Sequence, residues 1–259
     1  MHIILDRTLK NKVALITGAS QRLGAMTARF LHAAGANVLI HYRHSSKNAK
    51  ILMQELLNIR PDSADIVQCD LLIQAHGELE NLVNISQQRW GRLDILVNNA
   101  SSFYPTPIGK ITEKNWNDLM GSNLKAPLFL SQAAAPFLSK QENSCDCGCI
   151  VNIVDIHAQR PMVNHSVYNI AKAGLAMQVK TLANELGPNI RVNGVSPGAI
   201  LWPENEMDDE VKKDIVNRTY LKRQGCAEDI ARTVLFLVKD ADYITGQIIN
   251  VDGGRELYI

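Results

Sequence analysis

Thr17-Gly18-Ala19-Ser20-Gln21-Arg22-Leu23-Gly24 follows the apolar run Lys12-Val13-Ala14-Leu15-Ile16 and opens a segment with helical spacing of apolar residues, Leu23 to Ala34. A strand, a glycine turn and a helix in that order form the context in which a glycine motif signals dinucleotide binding. Gly18 suits a tight turn, and Gly24 suits close packing of helix on strand. The helix N-terminus offers free N–H groups and a positive dipole end to a pyrophosphate. Gly18, Arg22, Leu23 and Gly24 are therefore candidate cofactor contacts. Arg22 stands where a third glycine would be usual. It either reaches over the phosphates or is a solvated first-turn arginine, and the sequence leaves both open.

Working outward, six more Val- and Ile-rich runs are bounded by Gly, Asn or Asp. They begin at Asn37, Ala64, Leu93, Cys149, Ile190 and Gln247. Such runs read as buried strands. The segments between them are helix-length, and Ala49 to Ile59 and Leu79 to Trp90 show helical spacing. Repeated strand–helix–strand units predict an α/β fold. It is Rossmann-type and doubly wound, with a seven-stranded parallel sheet and helices on both faces. No Pro/Gly/Ser-rich linker divides the chain, so residues 1–259 read as a single domain. The least regular stretches are 101–110, 139–148 and 198–210. Two of them follow strand ends, where open parallel sheets hold their ligand crevice.

Composition narrows the function classes. Apolar residues make up 46% of the 259, enough for a sizeable core. Lys and Arg number 27 against 26 Asp and Glu, a formal net charge of +1, so no nucleic-acid partner is expected. No apolar run approaches the roughly 18–20 residues of a bilayer crossing, and the N-terminal residues do not read as a signal peptide. Five cysteines, an odd number, fit reduced thiols and a cytoplasmic location. Cys145, Cys147 and Cys149 lack a second ligand pair, so no metal is expected there.

The second strand ends in His41-Tyr42-Arg43-His44-Ser45-Ser46. An NAD site usually places a carboxylate at that point for the ribose 2′-OH. Here, past Tyr42, a candidate cofactor contact, Arg43, His44, Ser45 and Ser46 bring donors instead, and an arginine fork suits a 2′-phosphate. NADPH/NADP is the expected cofactor.

Tyr168 and Lys172 are four apart in a predicted helix and so share a face. A nearby ammonium favours the phenolate and brings the phenol toward acid–base use near neutrality. Asp155 lies at the end of the fifth strand run, and Asn98-Asn99-Ala100 at the end of the fourth.

These motifs, in this order, resemble the short-chain dehydrogenase/reductase family from about residue 9 to the C-terminus. The residues that carry the likeness are Gly18 and Gly24, Asp70, Asn98-Asn99-Ala100, Asn123, Tyr168 and Lys172, Pro197-Gly198 and Asp252-Gly253-Gly254. The resemblance implies that Asn98 shapes the cofactor site and Asp70 contacts the adenine. It implies that Asn123 holds a proton-relay water, and that Lys172 binds the nicotinamide ribose and tunes Tyr168. A homotetramer is implied as well.

Two residues depart from the general pattern: Arg22 for the middle glycine and Asp155 for the catalytic serine. With the run Asn99 to Pro107, they resemble the pteridine reductases within the family. That likeness implies that Arg22 approaches the phosphates and the pterin, and that Ser101 touches substrate and cofactor. It implies that Phe103 forms one wall of a slot for the ring, and that residues 41–45 hold the 2′-phosphate. In the family as a whole the stretch after Gly198 caps the substrate, so here the stretch with Trp202 and Met207 reads as a lid or as a plain surface loop, with residues 204–210 as the solvated start of a lid helix.

Asp155 also bears on the reaction. A ketone becomes an alkoxide under hydride attack, and an ionised carboxylate, an acceptor only, would repel it. A C=N bond gains cationic character as its nitrogen is protonated, and a carboxylate would stabilise that charge; it would also oppose the lysine's effect and help keep Tyr168 protonated as a donor. The expected substrate is a pterin or dihydropterin, such as dihydrobiopterin, dihydromonapterin or dihydrofolate, reduced to the tetrahydro form. A ketone reductase acting on a 3-oxoacyl thioester is the alternative. A non-catalytic dinucleotide sensor is the third reading, and Asn123, Tyr168 and Lys172 argue against it. His157 and His165 lie near the catalytic elements and read as packed or solvated.

Overall fold

Strand β1 (Val13–Ile16) is flanked by β2 (Asn37–Tyr42) and β4 (Ile95–Asn98), both parallel to it. The computed structural model describes residues 8–72, 77–138, 147–202 and 208–258. With β3 (Ala64–Gln68), β5 (Gly148–Ile153), β6 (Ile190–Pro197) and β7 (Ile248–Val251), the strands form one seven-stranded sheet. The order is β3-β2-β1-β4-β5-β6-β7, every pair parallel. All seven strand runs read from the sequence are present.

The helices follow from the pleat. Ala14 and Ile16 of β1 point to one face of the sheet, and Val13 and Leu15 to the other. Both sets are buried, so the central strands are apolar throughout rather than alternating. The first face carries α1 (Arg22–Ala33), α2 (Ser46–Ile59) and α8 (Ala227–Lys239), through Leu31, Leu52 and Val234. The second carries α3 (Glu78–Trp90), α5 (Ala126–Leu138) and α6 (Ser166–Leu186), through Leu82, Leu130 and Leu182. Each such leucine contributes about 1.5–3 kcal/mol on burial. Two short helices, α4 (Glu113–Met120) and α7 (Asp209–Asn217), complete the chain. A single π-helical turn, Gly121–Lys125, joins α4 to α5.

Strand order reverses between β1 and β4. The connections of the two neighbours diverge there and leave a crevice at the C-terminal strand ends. Among the described residues, no helix is long and apolar enough to cross a membrane. Cys145, Met207 and residues 204–207 of the expected lid lie outside the described residues.

Candidate active site

A cavity of about 760 Å³ occupies that crevice. Its size is that of a small-molecule site. The glycine turn forms its floor. Gly18 has φ of +60°, and a Cβ on it would come within 3.0 Å of the Ala100 backbone. A Cβ on Gly24 would lie 2.5 Å from the Gly18 carbonyl oxygen and 2.6 Å from Asn99 Nδ2. Asn99 fixes the turn from the fourth strand. Its Nδ2 donates to the Thr17 and Gly18 carbonyls at 2.8 and 3.1 Å, and its backbone N–H donates to Thr17 Oγ1 at 2.9 Å. The cradle, with α1 behind it, fits a pyrophosphate.

Arg22 keeps the backbone of the glycine it replaces, with φ of +53°. A non-glycine residue held there costs of order 1–3 kcal/mol and is characteristic of functional sites. Its side chain lines the cavity, and Nη2 donates to the Trp202 carbonyl at 3.1 Å. Trp202, expected at the substrate, meets the site through that backbone oxygen. Ile200 and Leu201, not the indole, form the wall there, beside Pro197 and Gly198.

At the far end lie Tyr42, Arg43, His44, Ser45 and Asp70. Arg43 Nη2 forms an ion pair with Asp70 Oδ2 at 2.8 Å. The second strand carries no carboxylate, yet β3 brings one to the same corner. That pairing is invisible in the sequence because it joins the ends of two neighbouring strands.

At the opposite end Tyr168 and Lys172 face the cavity from α6, with Asp155 between them and β5. The Tyr168 hydroxyl donates to Asp155 Oδ2 at 2.7 Å. Asp155 Oδ1 accepts from the His157 backbone N–H at 2.8 Å, capping the short 3-10 turn Ile156–Ala158. Lys172 Nζ donates to the Ile153 carbonyl at 2.9 Å and stands 5.7 Å from the centre of the Tyr168 ring.

Burial, and then the Asp155 charge and hydrogen bond, raise the Tyr168 phenol well above its usual value. Asp155 opposes the lysine's effect on this phenol and favours its protonated form. Tyr168 is 4% exposed, and the desolvation that follows penalises its anion. Burial lowers the Lys172 ammonium to about 8, with Asp155 pulling it back up.

Ser101, Ser102 and Phe103 close the cavity from the loop after β4. Phe103 is 44% exposed, stacks on His165 with ring centres 4.9 Å apart, and meets Tyr168 edge-on at 4.9 Å. His165, read from sequence as packed or solvated, thus backs the aromatic wall. Asn98 and Asn123 do not face the cavity. Asn98 Nδ2 donates to Asn152 Oδ1 at 2.9 Å and to Ser131 Oγ at 3.2 Å, tying the strands beneath the site. Asn123, in the π-helical turn, donates through Nδ2 to the Ser102 and Leu119 carbonyls, both at 2.9 Å. Its buried Oδ1 has no hydrogen-bond partner, and ordered water is what satisfies such a group.

Asn99 and Arg255, like the wall residues Ile200 and Leu201, escaped the sequence reading. Asn99 sits inside a quoted motif without a separate role. Arg255 directly follows the Asp252-Gly253-Gly254 motif; burial lowers its guanidinium and the Asp155 charge raises it. Among the described residues, no group of three or more His, Cys, Asp or Glu is placed to hold a metal ion.

The sequence model of the family described as "Enoyl-(Acyl carrier protein) reductase" matches residues 18–256. The chain belongs to the short-chain dehydrogenase/reductase family. This dehydrogenase/reductase is 38% identical to pteridine reductase 1 of Leishmania tarentolae, over 95% of this chain and 96% of that protein. It is 33% identical to a 3-oxoacyl-[acyl-carrier-protein] reductase of Thermotoga maritima, over 95% and 98%. It is 32% identical to a 7alpha-hydroxysteroid dehydrogenase of Bacteroides fragilis, over 96% of each chain. As a short-chain dehydrogenase/reductase it is an oxidoreductase with a nicotinamide dinucleotide cofactor.

Proposed function

We propose that the protein reduces the C=N bond of a pterin or dihydropterin, dihydrofolate included, with NADPH, giving the tetrahydro form. Residues 1–259 then act as one NADP-binding unit, cytoplasmic and homotetrameric. The observation that carries this reading is the carboxylate of Asp155 accepting a 2.7 Å hydrogen bond from Tyr168. The likeness to pteridine reductase 1 supports it.

Reduced nicotinamide, when bound, supplies the hydride. Gly18, Gly24 and the start of α1 hold the pyrophosphate, and Arg43, His44 and Ser45 offer donors to a 2′-phosphate. Lys172 holds the ribose. Asp155 faces the ring atoms being hydrogenated, accepts from N–H groups of the heterocycle, and stabilises the positive charge that builds as the ring nitrogen is protonated. Tyr168, held protonated by burial and by Asp155, is the proton donor, directly or through a water held near Asn123. Phe103, backed by His165, presents an aromatic wall to a flat ring.

A second reading has its own support: the 3-oxoacyl-carrier reductase relatives are nearly as similar as the pteridine reductase. Oxidation of NADPH with a dihydropterin, and separately with an acetoacetyl thioester, separates the two. Turnover of the dihydropterin is the expected result. Turnover of the thioester alone overturns the proposal.

A further inference from the structure

The imidazole of His41 joins the two halves of the cofactor crevice. It is 2% exposed, at the cavity end of β2. The Gly18 backbone N–H donates to its Nδ1 at 3.1 Å. On the other side its Nε2 lies 3.1 Å from the Cys69 carbonyl. One tautomer satisfies both contacts: Nδ1 bare to accept, Nε2 protonated to donate. The His41 carbonyl also accepts from the Ala19 N–H at 2.9 Å. A single residue thus holds the first two residues of the glycine turn. It also holds the residue preceding Asp70, the carboxylate paired with Arg43.

We infer that His41 is a positioning residue for the dinucleotide: its neutral ring sets the distance between the pyrophosphate turn and the adenosine corner. The inference rests on the dinucleotide reading of the cavity and is indifferent to the choice of substrate. Burial drives the imidazole down to about 4, against the raising pull of the Cys69 carbonyl and the Asp70 charge, so the ring is neutral throughout the neutral range. A protonated ring would set an N–H at Nδ1 against the Gly18 N–H, and the turn would lose its anchor.

Two substitutions divide the two contacts. The Asn amide oxygen occupies roughly the place of Nδ1, so His41→Asn keeps an acceptor for Gly18 and gives up Cys69. The Gln amide reaches roughly the place of Nε2, so His41→Gln keeps Cys69 and gives up Gly18. NADPH is titrated into each variant, and binding is followed by nicotinamide fluorescence. Each variant is expected to bind NADPH roughly tenfold more weakly than the wild type, as loss of one buried hydrogen bond implies. Wild-type binding by either variant overturns the inference. Imidazole 15N spectra of the cofactor-free protein check the anchor itself. A proton on Nε2 alone, with no titration near the usual histidine value, is expected; a proton on Nδ1 overturns the strut. A wild-type protein that shows this tautomer but binds no nicotinamide dinucleotide overturns the dinucleotide reading, and with it the role given to His41.

Discussion

The Tyr168 hydroxyl points its proton at Asp155 Oδ2 across 2.7 Å, and the Lys172 ammonium lies beneath the same ring. An acid is thus held in its protonated form by a neighbouring base that is itself an acceptor only. Removing the donor leaves the pocket's shape nearly intact. Tyr168→Phe is expected to lower kcat roughly a hundred- to ten-thousandfold, with NADPH affinity close to the wild type. Steady-state kinetics beside a cofactor titration check it. Unchanged turnover removes Tyr168 from the proton transfer.

Lys172 predicts a pH effect on stability. Its folded value of about 8 lies below its ordinary 10.5. Below about 8 both folded and unfolded chains carry the proton, and the cost of burying the charge is present in full. Between 8 and 10.5 the unfolded chain binds more protons, so this group's contribution to stability rises with pH across that window. The difference in unfolding free energy between the wild type and Lys172→Met should therefore shift in favour of the wild type from pH 8 to pH 10, as read by denaturant titration. A difference that is flat with pH contradicts the assignment.

Arg22 separates stability from function. At φ of +53° a glycine would sit without strain. Arg22→Gly should stabilise the fold by about 1 kcal/mol. It should also cost activity, because the guanidinium that lines the cavity and holds the Trp202 carbonyl is lost. Thermal unfolding and kcat/KM, measured on one preparation, are expected to move in opposite directions. A fall in both would mean that the Trp202 contact outweighs the strain.

Arg43 and Asp70 predict cofactor choice. Arg43→Ala removes a cation and leaves the Asp70 carboxylate unmasked in the corner that would receive a 2′-phosphate. The KM for NADPH should rise roughly ten- to a hundredfold, in line with losing a charged hydrogen bond and gaining a repulsion. The KM for NADH should change little. Equal effects on both cofactors would place the 2′-phosphate elsewhere.

Much of this was legible in the sequence, for one geometric reason. Gly18, Tyr42, Asp70, Asn98, Asp155 and Gly198 each stand at or just beyond the C-terminal end of one of six parallel strands. Parallel strands bring such ends to one edge, so finding the strands as apolar runs nearly finds the site. What stayed hidden depends on contacts across elements. Which of Asn98 and Asn99 faces the cavity depends on the pleat at the end of β4. The pairing of Arg43 with Asp70 needs β2 and β3 to be neighbours. The stacking of His165 on Phe103 joins two loops far apart in the chain. The upward shift of Tyr168 depends on how deeply α6 is buried, which residue spacing does not state.

Asp155→Ser tests the central claim most directly, with NADPH oxidation followed on a dihydropterin and on an acetoacetyl thioester. The serine hydroxyl donates where the carboxylate only accepts, so it favours an alkoxide and withdraws support from a protonating ring nitrogen. Turnover of the dihydropterin should fall by about tenfold or more, while turnover of the thioester holds or rises. Dihydropterin turnover that is unchanged or higher in the variant would contradict the account.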